Sequence, residues 1–188
     1  TLYVVSYTPV GVSEFMSIPL NSIKNENNWK RTQEERPLFV GGDFDVTKDG
    51  NYMLLGGDFD AQNLIMNFDR RNKTYSPFEF WPRDKYQGSN IAKQMIYISG
   101  SSLYTSGNKL LYASGEGRYA TIMDCSDIIT DEIVLYDEFP KYKMSKDKIN
   151  PQRMPGCKLG FYAYATDSLI YLTPLTGKLE NGLYVPDN

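Results

Sequence analysis

Among the residues best suited to chemistry in this chain are carboxylates set beside glycine. The pentapeptide Gly-Gly-Asp-Phe-Asp occurs twice, from Gly41 to Asp45 and from Gly56 to Asp60. It places Asp43, Asp45, Asp58 and Asp60 near the opposite ends of one expected hairpin. Alternating carboxylates next to glycine could ligate calcium, a hard cation that gathers about six to eight oxygens. Neither copy runs on into the calcium-loop pattern, which carries a glutamate at its twelfth position. The competing reading is that glycine and aspartate simply punctuate strand ends, and no cofactor other than calcium is expected.

Paired carboxylates could also serve glycoside hydrolysis, which needs two of them at a fixed separation across the sugar. Asp49, Asp58, Asp84 and Glu116 fall on expected loops, but in a chain with 23 acidic residues this pattern has little specificity. A cluster of Phe78, Phe80, Trp81, Arg83, Lys85 and Tyr86 mixes aromatic and basic side chains. Trp81, Arg83 and Tyr86 are its expected ligand contacts, able to stack on a sugar or pack on a partner; the alternative is packing between sheets.

Two motifs mislead. Gly115-Glu116-Gly117-Arg118-Tyr119-Ala120 satisfies the glycine spacing of dinucleotide binding and has Asp137 downstream, but that site needs a helix opening at its end to receive the pyrophosphate. The following Thr121-Ile122-Met123-Asp124 reads as a strand, so a hairpin loop is expected. Thr173 to Lys178 resembles the end of a phosphate loop, yet Leu172 stands where its leading glycine belongs and Leu179 replaces its hydroxyl residue. Asn72-Lys73-Thr74 matches a glycosylation acceptor and reads as a turn, and the lysines from Lys141 to Lys148 read as a solvated loop.

Composition removes whole classes of function. The chain contains no histidine, which excludes Ser-His-Asp and Cys-His catalysis, histidine bases and most zinc or copper sites. A net charge of −3 from 20 basic and 23 acidic residues leaves no footprint for a nucleic acid. No apolar run approaches the roughly 20 residues that cross a bilayer. Cys125 and Cys157 fall in different expected units. The chain enters a strand directly from Thr1, so the natural start is expected upstream, and a partial chain or self-association is expected to complete the fold.

The elements that must position these groups are short strands rich in Tyr, Val, Ile, Leu and Phe. A phrase recurs three times: Val46–Leu55, Tyr104–Tyr112 and Ala165–Leu172, each a threonine and a small-residue turn running into an apolar strand. Counted from Thr47 to Thr105 to Thr166, its spacing is 58 and then 61 residues. Asp-Gly and Gly-Asn supply the positive φ that a tight hairpin demands. Four-stranded antiparallel units repeating at this period must stack face to face, and radial stacking is a β-propeller. The expected fold is all-β: about three blades of a propeller in a single domain over 1–188, with blades near 1–37, 38–82, 100–140 and 159–188. A helical stripe is conceivable only from Ala120 to Tyr136.

The recurring hairpin resembles the inner hairpin of the TolB-like six-bladed propellers. Tyr86-Gln87-Gly88, Ser102-Leu103-Tyr104, Gly107–Ser114, Phe139-Pro140-Lys141-Tyr142 and Tyr164–Leu172 are similar to a cell-envelope branch of that family found in gut Bacteroidetes. The resemblance implies six blades, a periplasmic or cell-surface location by secretion or lipid anchoring, and no catalytic residues to carry over. The expected function is a non-catalytic module binding a protein or glycan partner; the alternative is a carboxylate- and calcium-dependent propeller enzyme acting on glycans as a hydrolase or lyase.

Overall fold

Short apolar segments bounded by Gly, Asn, Asp and Ser become strands throughout the described residues, and neighbours within each sheet pair antiparallel. The structure, a computed structural model, describes residues 1–7, 12–35, 40–56, 63–78, 80–84, 89–124, 133–144, 151–154, 160–166, 168–174, 178–180 and 183–185. The first sheet has β1 (Leu2–Tyr7), β2 (Val12–Ile18) and β3 (Lys30–Glu35) in that order. The second is a four-stranded meander of β4 (Val40–Val46), β5 (Tyr52–Gly56), β6 (Ile65–Asp69) and β7 (Thr74–Phe78).

A helix, α1 (Asn90–Ile98), leads to the third sheet: β8 (Ser102–Ser106), β9 (Lys109–Ala113), β10 (Arg118–Asp124) and β11 (Ile133–Glu138), again a meander. Three two-stranded hairpins follow: β12 (Tyr142–Met144) with β13 (Pro151–Arg153), β14 (Phe161–Ala165) with β15 (Ile170–Pro174), and β16 (Lys178–Glu180) with β17 (Leu183–Val185). The chain is all-β in character.

Strand alternation puts apolar side chains on both faces of the central sheets, so each sheet buries itself against two neighbours. Phe15 of the first sheet stacks on Tyr52, with ring centres 4.3 Å apart, beside Leu54 and Phe68. The opposite face of the second sheet carries Met53, Leu55, Ile65 and Phe78, which pack against Leu103, Leu110, Tyr112 and Met123 of the third. Leu111, Ala113 and Ala120 then meet Phe161 and Ala163 of the β14–β15 hairpin. Burying an aliphatic or aromatic side chain of this kind is worth about 1.5–3 kcal/mol each, so the stack is held chiefly by these interleaved seams.

All three copies of the recurring phrase are β-hairpins, with Gly50 at φ 85° and Gly107 at φ 58° supplying the left-handed backbone. The threonines that mark the copies do different work. Thr47 and Thr166 close their turns: Asn51 N–H donates to Thr47 Oγ1 at 3.1 Å, and Leu169 N–H to Thr166 Oγ1 at 3.1 Å. Thr105 lies inside β8 and bonds to the neighbouring sheet instead.

Two sequence expectations change here. The stretch from Ala120 to Tyr136 holds the paired strands β10 and β11, and the helix lies at Asn90–Ile98. Ser89 caps that helix by accepting from Ala92 N–H at 3.2 Å, while Ala92 and Ile96, one turn apart, are buried with Tyr97 and Ile98. The run Met95-Ile-Tyr-Ile has local strand propensity, and tertiary burial of Ala92, Gln94, Ile96, Tyr97 and Ile98, around most of the helix, overrides it. Tyr142–Met144, expected in a solvated loop, is strand β12.

Candidate functional site

In an antiparallel meander successive connections fall at alternate ends of the sheet. The β4–β5, β6–β7 and β8–β9 turns therefore share one end. The β9–β10 loop and the segments that leave β7 and β11 share the other. We call these the turn end and the loop end; α1 occupies the latter.

At the loop end, residues Phe80 to Asp84 run from β7 toward α1, with Phe80 buried and Trp81 half-buried against the core. Lys93 and Tyr97 sit one turn apart on α1 and converge on Asp84. Lys93 Nζ lies 3.0 Å from Asp84 Oδ1, donates to the Pro82 carbonyl at 3.1 Å, and sits 5.1 Å from the Trp81 ring centre. The Tyr97 hydroxyl donates to Asp84 Oδ2. Tyr112, fully buried, donates to the Tyr97 carbonyl at 2.7 Å. Burial, and then the adjacent Asp84 carboxylate, pushes the Tyr97 phenol far above its ordinary range, and burial does the same to Tyr112. Both phenols stay protonated donors.

The β9–β10 loop supplies a second buried acid, Glu116, which accepts from the Tyr142 hydroxyl at 3.4 Å. The dinucleotide-like glycines around it serve close packing. A Cβ at Gly115 would collide with the Gly100 carbonyl, and one at Gly117 with Pro140. Between these groups opens a cavity of about 460 Å³, lined by Arg83, Asp84, Phe139, Pro140, Tyr142 and Met154, with Lys141 at its edge. Aromatic and apolar walls thus meet a rim of cationic side chains, and the two carboxylates nearest by are engaged by Lys93, Tyr97 and Tyr142.

The site residues expected from sequence are distributed as follows. Arg83 lines the loop-end cavity and is exposed; Trp81 lies behind it, under Lys93. Tyr86 lies outside the described residues, as do Asp58 and Asp60. Asp43 and Asp45 point from β4 to β8. Asp43 Oδ2 accepts from Leu103 N–H at 3.1 Å; Asp45 Oδ2 accepts from Thr105 N–H at 2.6 Å and from its hydroxyl at 3.0 Å. Burial raises the Asp43 pKa, an effect partly offset by the Leu103 and Phe44 amides it accepts from. Gly42, just before, gives Leu55 and Ile98 room to approach the backbone. The first pentapeptide therefore clamps one sheet to the next. Among the described residues, no group of three or more acidic or cysteine side chains is arranged to hold a metal ion.

Lys93, Tyr97 and Tyr142 escaped the reading of the sequence. For the first two a signal existed: the capping serine Ser89, followed by polar residues spaced four apart. No family model matches this chain, and neither a curated protein nor a solved structure matches it.

Proposed function

We propose that this chain is a non-catalytic propeller module that binds a glycan or protein partner through its loop end. The observation that carries this reading is the cavity of about 460 Å³ with aromatic walls and a cationic rim, whose neighbouring carboxylates are held by internal partners. That volume lies in the range of about 300–1,000 Å³ usual for small-ligand sites. Phe139 and Tyr142 offer flat apolar surface for a sugar ring, and Arg83 offers planar donors for its oxygens.

The arrangement of the sheets supports the propeller reading. Strands β4 and β8 lie side by side in the same direction, bonded through Asp43–Leu103 and Asp45–Thr105 at a separation of 60 residues. The Tyr104 hydroxyl repeats the link to the Ala163 carbonyl at a separation of 59. Placement with the TolB-like propellers, and hence at the cell envelope, rests on the recurring hairpins and belongs to the same proposal.

A second reading is favoured by one observation: Asp84 and Glu116 both reach the loop end, as a carboxylate-dependent glycan hydrolase or lyase would require. One experiment separates the two. Immobilised bacterial and host glycans are probed with the wild-type chain and with Arg83→Ala. The module reading expects retention of an intact glycan and about tenfold weaker binding by the variant, equivalent to about 1.4 kcal/mol. Release of shortened or unsaturated products, abolished by Asp84→Asn, would establish the enzyme instead.

A further inference from the structure

The gap between successive sheets recurs at the turn end, and its two copies differ. Between the third sheet and the β14–β15 hairpin it is a cavity of about 260 Å³ floored by the cross-strand pair Leu111–Ile122. Between the second and third sheets it is a cavity of about 410 Å³, floored by the corresponding pair Met53–Asn67. Where one copy has an isoleucine, the other has an amide. Asn67 lies on the face of the second sheet that also carries Leu55, Ile65 and Phe78, all buried against the third sheet. Its Oδ1 is buried and has no hydrogen-bond partner among the described residues.

A buried acceptor without a donor is costly. Asn67 stands where the apolar part of this face, Leu55, Ile65 and Phe78, gives way to Ser76 and Asp69 toward the turn end, so its Oδ1 calls for a donor that the described residues do not supply. The cavity is far larger than the roughly 30 Å³ share of one water molecule. Its wall adds Ser76, directly across from Asn67 on β7, and Asn51, with the Asn108 turn on the facing sheet. The β8–β9 connection is only Gly107-Asn108, too short to fill the gap. Met53 and Phe78 give an apolar floor beside these amides and hydroxyl. At the mouth stand Lys48 and Asp49, adjacent and opposite in charge.

We propose that this turn-end cavity is a binding site for a neutral pyranose, whose hydroxyl donates to Asn67 Oδ1 while its C–H face rests on Met53 and Phe78. Neutral amide and hydroxyl groups over an apolar floor suit such a ring, and the balanced charges at the mouth favour neither an anion nor a cation. This site is separate from the loop-end cavity and stands whether or not that reading holds.

The test is an amide NMR titration of the chain with glucose, galactose and mannose, with galacturonate as the charged comparator. Saturable shifts are expected at Asn51, Asn67, Ser76 and Asn108 with at least one neutral hexose. They should persist in Arg83→Ala and weaken at least tenfold in Asn67→Ile, which installs the side chain found in the other copy. Asn67→Ile should also unfold at a temperature equal to or above that of the parent, because it removes an unpaired buried acceptor. Absence of saturable shifts with all three hexoses, shifts undiminished in Asn67→Ile, or stronger shifts with galacturonate would each overturn the proposal. A lower unfolding temperature for Asn67→Ile would also overturn it, since it would show that Oδ1 is satisfied within the fold.

Discussion

The two ends of the stacked sheets are made by the same meander and reach opposite solutions. At the loop end, a helix, a second hairpin and the β9–β10 loop come together, and the two buried carboxylates described there engage side chains of other elements: Asp84 with Lys93 and Tyr97, Glu116 with Tyr142. At the turn end, the β4–β5, β6–β7 and β8–β9 turns of two to five residues leave a gap, and the polar atom beside it, Asn67 Oδ1, has no partner among the described residues. The difference shows that the elements packed across an end decide its chemistry. At the loop end α1 and β12 carry donors to Asp84 and Glu116, whereas no described residue carries one to Asn67 Oδ1.

The largest expected break in this comparison is Asp84→Ala. It strands the mostly buried Lys93 ammonium and removes the acceptor of Tyr97, and losing one partner of such a pair costs about 3–5 kcal/mol. Chemical denaturation should show that loss. An effect below about 1 kcal/mol would mean the loop end is not held by its charges.

The tyrosines of the loop end sharpen the comparison through pH. Tyr97 and Tyr112 have folded-state pKa values raised above the ordinary value near 10. As pH climbs past 10, the unfolded chain releases these protons while the folded chain keeps them, so the folded state binds more protons and stability falls. The stability is full below about pH 10 and declines above it. Urea midpoints measured from pH 8 to 11 should fall at the alkaline end, and Tyr97→Phe should flatten that fall; an equal slope in both proteins would place the titration elsewhere.

The smallest effect concerns the clamp between the ends. Asp45→Ala removes two hydrogen bonds to Thr105 and should cost about 1–3 kcal/mol. Added calcium should not restore the parent's stability to this variant or raise that of the parent, because the carboxylate bonds to protein. A calcium-dependent rise in the parent's unfolding temperature, lost in Asp45→Ala, would instead favour the ion-binding reading of the pentapeptide.

Much of the strand pattern was legible because its signals are local. Alternating apolar residues and the turn residues Asp49-Gly50 and Gly107-Asn108 specify hairpins without reference to the rest of the chain. The helix was less legible, since Ile96, Tyr97 and Ile98 have strand propensity and only their burial within the fold selects the helix. Matching threonines by sequence likewise concealed that Thr105 faces another sheet while Thr47 and Thr166 cap their own turns. In the candidate site, Trp81 and Arg83 could be singled out by residue type. Lys93 and Tyr97 were signalled only by the Ser89 cap and their spacing of four, and Tyr142 by nothing local, since its partner Glu116 lies 26 residues away.

Sequence alone determined that this chain would be built of short antiparallel strands, repeated and stacked, and that histidine chemistry was closed to it; residue identity and local backbone preference suffice for both. Only the tertiary structure decided what the acidic residues do. Asp43 and Asp45 became clamps between sheets, Asp84 became half of a buried ion pair, and Asn67 was left facing a cavity. A carboxylate or amide acquires its role from the donors that surround it, and those donors lie up to 60 residues away.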